Sequence, residues 1–246
     1  HIQDPKVALE NFDMVVCPEH DELNGSNVIK TVGAIHYLSR KEIEKEKDYI
    51  KIERENKKVV AFIIGGPNKY YEYSDKEIDY TFNKIKAIFT RDKYKLIIVP
   101  SYRTPEHIKK KAFNAFSHDH IVIKDIDKKA YLSALHLSDF IVVTCDSTSM
   151  ISEAAITGKP IYVTQMIAKK NNLRFKNFFS KFKELNIIKD LTDKVDIWSY
   201  EKLDEVNRIS PIIYEKIKKK WNCLNPYRKE QKLLEAPLII LKSTNH

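Results

Sequence analysis

Three short stretches of this chain carry residue types suited to holding a phosphate, and each follows an apolar run that reads as a strand. In the first, Ile141-Val142-Val143 leads into Thr144-Cys145-Asp146-Ser147-Thr148-Ser149-Met150; an amphipathic helix follows until Gly158, and a further strand begins near Pro160. A helix N-terminus carries unsatisfied backbone N–H groups and the positive end of the dipole, and here several hydroxyls surround it, so an anion fits. Glu153 falls about two turns into that helix, where its carboxylate could meet the ribose of a nucleotide whose diphosphate sits at the N-terminus. An ordinary capped helix in an α/β sheet would use the same residues.

The second stretch is Gly65-Gly66, directly after Val59–Ile64. The chain has only five glycines, so a pair at a strand end indicates close approach of a ligand or of another loop to the backbone. The third is Ser101-Tyr102-Arg103-Thr104-Pro105, where Arg103 offers a planar fork for phosphate and Ser101 and Thr104 offer hydroxyls. Neither Gly-x-Gly-x-x-Gly nor a Walker Lys-Ser/Thr is present, and Gly-x-Ser-x-Gly is absent too. His20-Asp21, with Asp4 in a nearby loop, is the candidate acid/base group. No His, Cys or carboxylate set has metal-ligand spacing, so no metal site is expected.

What must position these loops is an alternation of strands and helices. Apolar runs at Val59–Ile64, Leu96–Val99, His120–Ile123 and Ile141–Val143 are separated by helical patterns near Asp75–Thr90, from Pro105, and near Lys128–Leu137. Such an alternation predicts βαβ crossovers and a parallel sheet covered on both faces, with the three loops on one edge. Residues 1–40 read as short strands and loops, 41–57 as a charged linker helix, and 58–205 as the main Rossmann-like unit. Residues 172–221 read as helical, with Phe175, Phe178, Phe179 and Phe182 packing on the sheet. The last part, 206–246, reads as a C-terminal helix and tail in which Pro237–Leu241 could add a strand.

With 246 residues, 43% hydrophobic and 31% charged, the chain has enough apolar residues for a real core. The formal charge of +9 favours anionic partners, but Lys is interleaved with acid, as in Lys45-Glu46-Lys47-Asp48. That pattern makes a solvated surface rather than a nucleic-acid site. Cys17, Cys145 and Cys223 are far apart and suggest a reducing compartment. No apolar run approaches the ~18 residues of a membrane span, and no signal-peptide core is present. A chain that starts at His1, inside what reads as a domain, is expected to be N-terminally truncated.

Several motifs occur in a telling order: His1-Ile-Gln-Asp-Pro5, His20-Asp21, Asn27-Val28, Gly33-Ala34, Gly65-Gly66, Ser101–Pro105, Thr144–Met150, Glu153-Ala154 and Gly158-Lys-Pro160. In this order over roughly residues 1–205, the chain resembles the mitochondrial-fission ELM (elongated mitochondria) family, a group read as glycosyltransferases. The resemblance implies a GT-B-like α/β architecture, with a Rossmann-type donor domain and a partial, N-terminally truncated second α/β domain across a cleft. It implies transfer of sugar from a nucleotide-diphosphate donor, without a metal or other cofactor, to a lipid-linked or envelope saccharide. Gly65, Gly66, Ser101, Arg103, Thr104, Asp146, Ser147, Thr148, Ser149, Met150 and Glu153 would hold the donor. Asp4, His20 or Asp21 would supply the base, and Arg103 would neutralise the leaving diphosphate. Such an enzyme would be cytoplasmic and peripheral at the inner face of the membrane, where Lys216, Lys218, Lys219 and Lys220 add about 1 kcal/mol each at an anionic surface. A non-enzymatic recruitment protein on the same fold, or a nucleotide-sugar epimerase, are the other readings.

Overall fold

The structure is a computed structural model that describes residues 1–170 and 173–224, with side chains as far as Trp221. Its regular elements begin with β1 (Val15–Pro18), β2 (Val28–Thr31) and α1 (Arg40–Lys45). There follow β3 (Lys58–Ile64), α2 (Asp75–Ile88), β4 (Tyr94–Pro100), α3 (Glu106–Phe116), β5 (Ile121–Val122) and α4 (Lys128–Leu137). The series ends with β6 (Phe140–Thr144), α5 (Thr148–Ala155), β7 (Ile161–Thr164), α6 (Leu173–Glu184), β8 (Ile188–Asp190) and α7 (Glu205–Leu224). The chain divides into a larger unit, Leu38–Leu203, and a smaller one made of His1–Tyr37 with the segment from Asp204.

In the larger unit, six parallel strands lie in the order β5-β4-β3-β6-β7-β8. Counted from β3 as the first strand, this is 3-2-1-4-5-6, the doubly wound Rossmann order, which reverses direction between β3 and β6. Ligands of open α/β sheets bind beyond the carboxyl ends of the strands at that reversal. The expected parallel α/β fold is therefore present.

Local chemistry explains the elements. Val59 to Ile64 are at most 1% exposed, because helices cover both faces of the central strand and leave no polar side. Phe62 packs edge-on against Phe82 of α2 and Phe116 of α3. Ser74, Asp127 and Ser147 cap α2, α4 and α5 by accepting N–H groups of the first turn. Gly158, at φ 74°, takes the left-handed conformation needed just beyond α5.

Two segments differ from the sequence reading. Of residues 41–57 only the first five are helical, in the short α1 that a Ser39/Glu42 capping box opens. Beyond it the chain is fastened to the larger unit: Tyr49 donates to Asp127 (2.7 Å), Ile50 N–H to Ser133 Oγ (3.0 Å), and Arg54 to Asp139 (3.1 Å). In 172–221, helix stops at Glu184; Asn186 turns the chain at φ 54°, and β8 then adds to the sheet edge. Residues 191–204 form no regular element. The aromatic stripe is real: Phe175, Phe178 and Phe182 are buried and Phe178 stacks on Phe182 at 4.1 Å. Pro237–Leu241 lies outside the described residues.

The smaller unit pairs β1 with β2 in parallel, Val15 opposite Val28. Ile209 of α7 packs with Val16 and Ile29. Glu205, 4% exposed, accepts the Val32 N–H at 3.2 Å, and Arg208 ties Glu205 to the Lys30 carbonyl. The C-terminal helix is thus part of the same unit as the N-terminal strands. No helix among the described residues is long and apolar enough to cross a membrane.

Candidate functional site at the sheet reversal

The carboxyl ends of β3, β4 and β6 bring together all three loops picked out by residue type, and Asp146 is their hub. Its side chain is fully buried, which would be costly for a carboxylate without donors on both oxygens. Oδ2 accepts from the Arg103 guanidinium at 2.7 Å and from the Gly66 N–H at 3.1 Å. Oδ1 accepts the Thr144 hydroxyl at 2.6 Å and lies against the Tyr73 hydroxyl. Thr144 Oγ1 in turn accepts the Gly65 N–H at 2.8 Å. Burial, then the neighbouring Asp146 charge, pushes the Tyr73 phenol well above its usual range. Tyr73 therefore stays a neutral donor.

This network explains the glycine pair. A Cβ on Gly65 would lie 2.2 Å from Asp146 Oδ1, and one on Gly66 would lie 1.9 Å from the Arg103 carbonyl oxygen. Of the two approaches foreseen, the one observed is that of another loop. Arg103 is likewise engaged internally: Nη2 pairs with Asp146 and Nη1 donates to the Gly66 carbonyl at 3.0 Å, while 38% of the side chain stays exposed. Thr104 is buried and donates to the Ile64 and Gly65 carbonyls, both at 2.7 Å. Its Oγ1 accepts the Ser101 N–H at 2.8 Å, and Ser101 Oγ lies 3.2 Å from the same atom. Pro105 precedes α3 as its cap residue instead of opening it.

At α5, Ser147 is the cap, its Oγ accepting the Met150 N–H at 3.4 Å. Thr148 is buried, Met150 is half-buried and Ser149 is exposed. Among the described residues, the Thr148 and Ser149 N–H groups reach no protein acceptor, as expected for the first turn of a helix. One turn along the same face stands Glu153. Its Oε2 accepts the Tyr131 hydroxyl of α4 at 2.8 Å. Burial raises the Glu153 carboxyl above its usual range, against the lowering effects of the Tyr131 bond and the Lys128 charge.

The proposed base residues lie in the smaller unit. Asp4 accepts Lys6 Nζ at 2.6 Å and the Lys6 N–H at 2.9 Å, and the Lys6 side-chain bond holds its carboxyl below the usual range. His20 is 4% exposed, with Nε2 4.0 Å from Asp21 Oδ1. Asp21 Oδ2 is 3.6 Å from the Cys17 thiol, and the Asp21 charge acts on Lys6. His20 and Asp21 thus share one turn, and Asp4 stands in the loop that the Gln3 N–H ties to β1 through the Val16 carbonyl. Sequence reasoning missed Tyr73 and Tyr131, which carry no motif of their own. Only the partners they meet in space mark them.

A family profile described as mitochondrial fission ELM1 matches residues 1–217. Rickettsia prowazekii protein RP120, uncharacterized, is 28% identical over 207 residues, covering 79% of this chain and 57% of that protein. Arabidopsis thaliana mitochondrial fission protein ELM1 is 26% identical over 235 residues, covering 83% and 54%. The chain spans little more than half the length of these curated relatives. A solved UDP-GlcNAc 2-epimerase from Neisseria meningitidis, bound to UDP-GlcNAc, is similar with 16% identity and a TM-score of 0.43, over 82% of this chain and 57% of that one.

Proposed function

This chain belongs to the mitochondrial fission ELM1 family, and from that premise we propose that its larger unit binds the donor of a glycosyltransferase. The acceptor would be a lipid-linked or envelope saccharide. One observation carries the reading: at the strand-order reversal, the open N-terminus of α5 and the half-buried Glu153 lie on one helix. A nucleotide diphosphate has the matching sequence of groups, with anionic phosphates for the N–H end and a ribose diol for the carboxylate.

In the proposed reaction the C–O bond from the sugar's anomeric carbon to the β-phosphate breaks, and the leaving diphosphate keeps the electron pair. A bond forms to an acceptor hydroxyl oxygen, whose proton passes to a base. The Thr148 and Ser149 N–H groups and the Ser147 and Ser149 hydroxyls would face the phosphates, and Tyr131 would orient Glu153 towards the ribose. Arg103 has a different part from the one expected: it braces Asp146 and the Gly66 loop, and its remaining N–H donors add positive charge at the exposed edge. A helix N-terminus contributes only about 0.3–2 kcal/mol to anion binding, while micromolar affinity needs about 8 kcal/mol. Most of the affinity must therefore come from the carboxylate, the guanidinium and base stacking. The Asp4, His20 and Asp21 group is the proposed source of the base. The lysines Lys216, Lys218, Lys219 and Lys220 of α7 would hold the protein at an anionic membrane surface.

The test is a thermal-shift screen of the chain with UDP, GDP, ADP, CMP and their sugars. A ligand at 100 times its Kd stabilises by about 2.7 kcal/mol. The expected result is stabilisation by one nucleotide that is lost in Glu153→Ala. A folded protein unmoved by every nucleotide would refute the donor reading and favour the recruitment role.

A further inference from the structure

The smaller unit holds a pocket of about 320 Å³ between its first residues and α7. Val16 of β1 lines it and is buried, while Ile2, Phe12, Met14, Ile213 and Ile217 are only half-buried, so part of each apolar side chain faces the pocket. The Ser210 hydroxyl, also in the wall, is already given to the Val206 carbonyl at 2.6 Å. Exposed polar residues, His1, Asn11 and Asp13, stand at the rim. An apolar cavity of ~150 Å³ stays dry and takes up benzene, and this larger one has room for a longer apolar guest.

What the walls offer decides the kind of guest. β1 gives its backbone groups to β2 on one side and to residues 1–3 on the other, where Val16 N–H donates to the His1 carbonyl at 2.8 Å and Gln3 N–H to the Val16 carbonyl at 2.7 Å. An extended peptide would bring N–H and C=O groups that these walls do not match. A hydrocarbon chain brings none.

The charge beside the pocket suits an anionic head on such a chain. α7 carries Lys216, Lys218, Lys219 and Lys220 around Ile217, and they outnumber Glu215 and the rim residue Asp13. Lys220 pairs with Asp13, both side chains being exposed. An ion pair of that kind holds weakly, so a phosphate can take over Lys220 at little cost. Lys216 lies one helical turn from Lys220, on the same face.

We propose that this pocket binds the hydrocarbon chain of a single-chain lipid phosphate, with Lys216 and Lys220 on the phosphate. On the proposed function, on which this assignment rests for a lipid-linked acceptor, the smaller unit would hold that acceptor by its lipid end.

The experiment is calorimetric titration with farnesyl phosphate, beside farnesol, methyl phosphate and phosphatidylglycerol vesicles. Wild type, Ile217→Asp and the double variant Lys216→Gln/Lys220→Gln are compared, with thermal unfolding to establish that each is folded. Wild type should bind farnesyl phosphate more tightly than farnesol, and methyl phosphate not measurably. Ile217→Asp should weaken farnesyl phosphate roughly tenfold or more, and the double variant should reduce it to the level of farnesol. The three probes on wild type decide the matter even if Ile217→Asp does not fold. Vesicle binding without farnesyl phosphate binding would make the lysines a surface contact only and overturn the proposal, as would an affinity unchanged in Ile217→Asp. A concentration-dependent dimer abolished by Ile217→Asp, with no lipid bound, would put a second copy in the pocket and overturn it too. Nucleotides titrated into the same wild-type protein keep the two readings apart: lipid bound without nucleotide supports the pocket and refutes the donor site, and nucleotide bound without lipid does the reverse.

Discussion

The Arg103 guanidinium holds the buried Asp146 carboxylate at 2.7 Å, joining the loop after β4 to the loop after β6 over the Gly66 backbone between them. Removing one partner of such a contact leaves the other without its match. Asp146→Ala orphans the Gly66 N–H, leaves the Tyr73 and Thr144 hydroxyls only each other, and at about 1–3 kcal/mol for each buried polar group deprived of its acceptor should cost about 3–5 kcal/mol. Arg103→Ala leaves Asp146 with its other donors, and because Arg103 is partly exposed, water can replace some of the loss. It should cost about 1–2 kcal/mol. Urea unfolding of the two variants checks the order, and an Arg103→Ala loss as large as that of Asp146→Ala would contradict it.

Gly66→Ala should be worse tolerated than Gly65→Ala. Both added methyls collide, but at Gly66 the obstacle is the Arg103 backbone, 1.9 Å away, and at Gly65 it is a side-chain carboxylate at 2.2 Å. Overpacking costs typically about 1–3 kcal/mol, and the Gly66 variant belongs at or beyond the upper end. Denaturation midpoints of the pair give the comparison.

Glu153 makes stability depend on pH in a definite direction. Burial raises its carboxyl above the usual 4.5 of a glutamate, so the native state holds the proton more tightly than the unfolded chain. The stability this contributes is complete below that value and is lost as pH rises through the native one. Glu153→Gln should therefore match wild type in acid and exceed it in Tm at neutral pH, while binding nucleotide more weakly. Melting curves at pH 4 to 8 test this, and a variant that melts lower at neutral pH would reject it.

Lys159 acts at the alkaline end. Its ammonium caps α4 through the Leu135 carbonyl at 2.8 Å and the His136 carbonyl at 2.5 Å, and burial pulls its pKa from 10.5 down to about 8. Between these values the unfolded chain binds more protons, so the contribution of Lys159 to stability rises with pH through this window. In Lys159→Gln the rise between pH 8 and pH 10 should flatten, as measured by urea midpoints against wild type.

Ser147 and Ser149 should separate capping from binding. Ser147→Ala removes the α5 cap and should lower stability by about 1 kcal/mol. Ser149 is exposed and its hydroxyl bonds to no described residue, so Ser149→Ala should leave Tm unchanged and weaken nucleotide binding only modestly. Paired melting and titration of both variants provide the check.

Alternating apolar runs and helical patterns were enough to specify a parallel sheet, because Val59–Ile64 and Ile141–Val143 are apolar at every position and only a strand covered on both faces accommodates that. Hydroxyls before an amphipathic run located α5, since capping is local chemistry. Motif order sufficed for the family. The strand order, and with it the reversal between β3 and β6, depended on pairings between distant segments that no local pattern encodes. The purpose of Gly65-Gly66 and Arg103 was equally hidden: their types suit a phosphate, but in space they serve Asp146, a residue some 80 and 43 positions away. Tyr73 and Tyr131 entered the site only through contacts across the fold. Composition and periodicity report what each segment must bury. Which buried charge meets which donor is decided when the loops converge, because a desolvated carboxylate is stable only where several donors reach it at once.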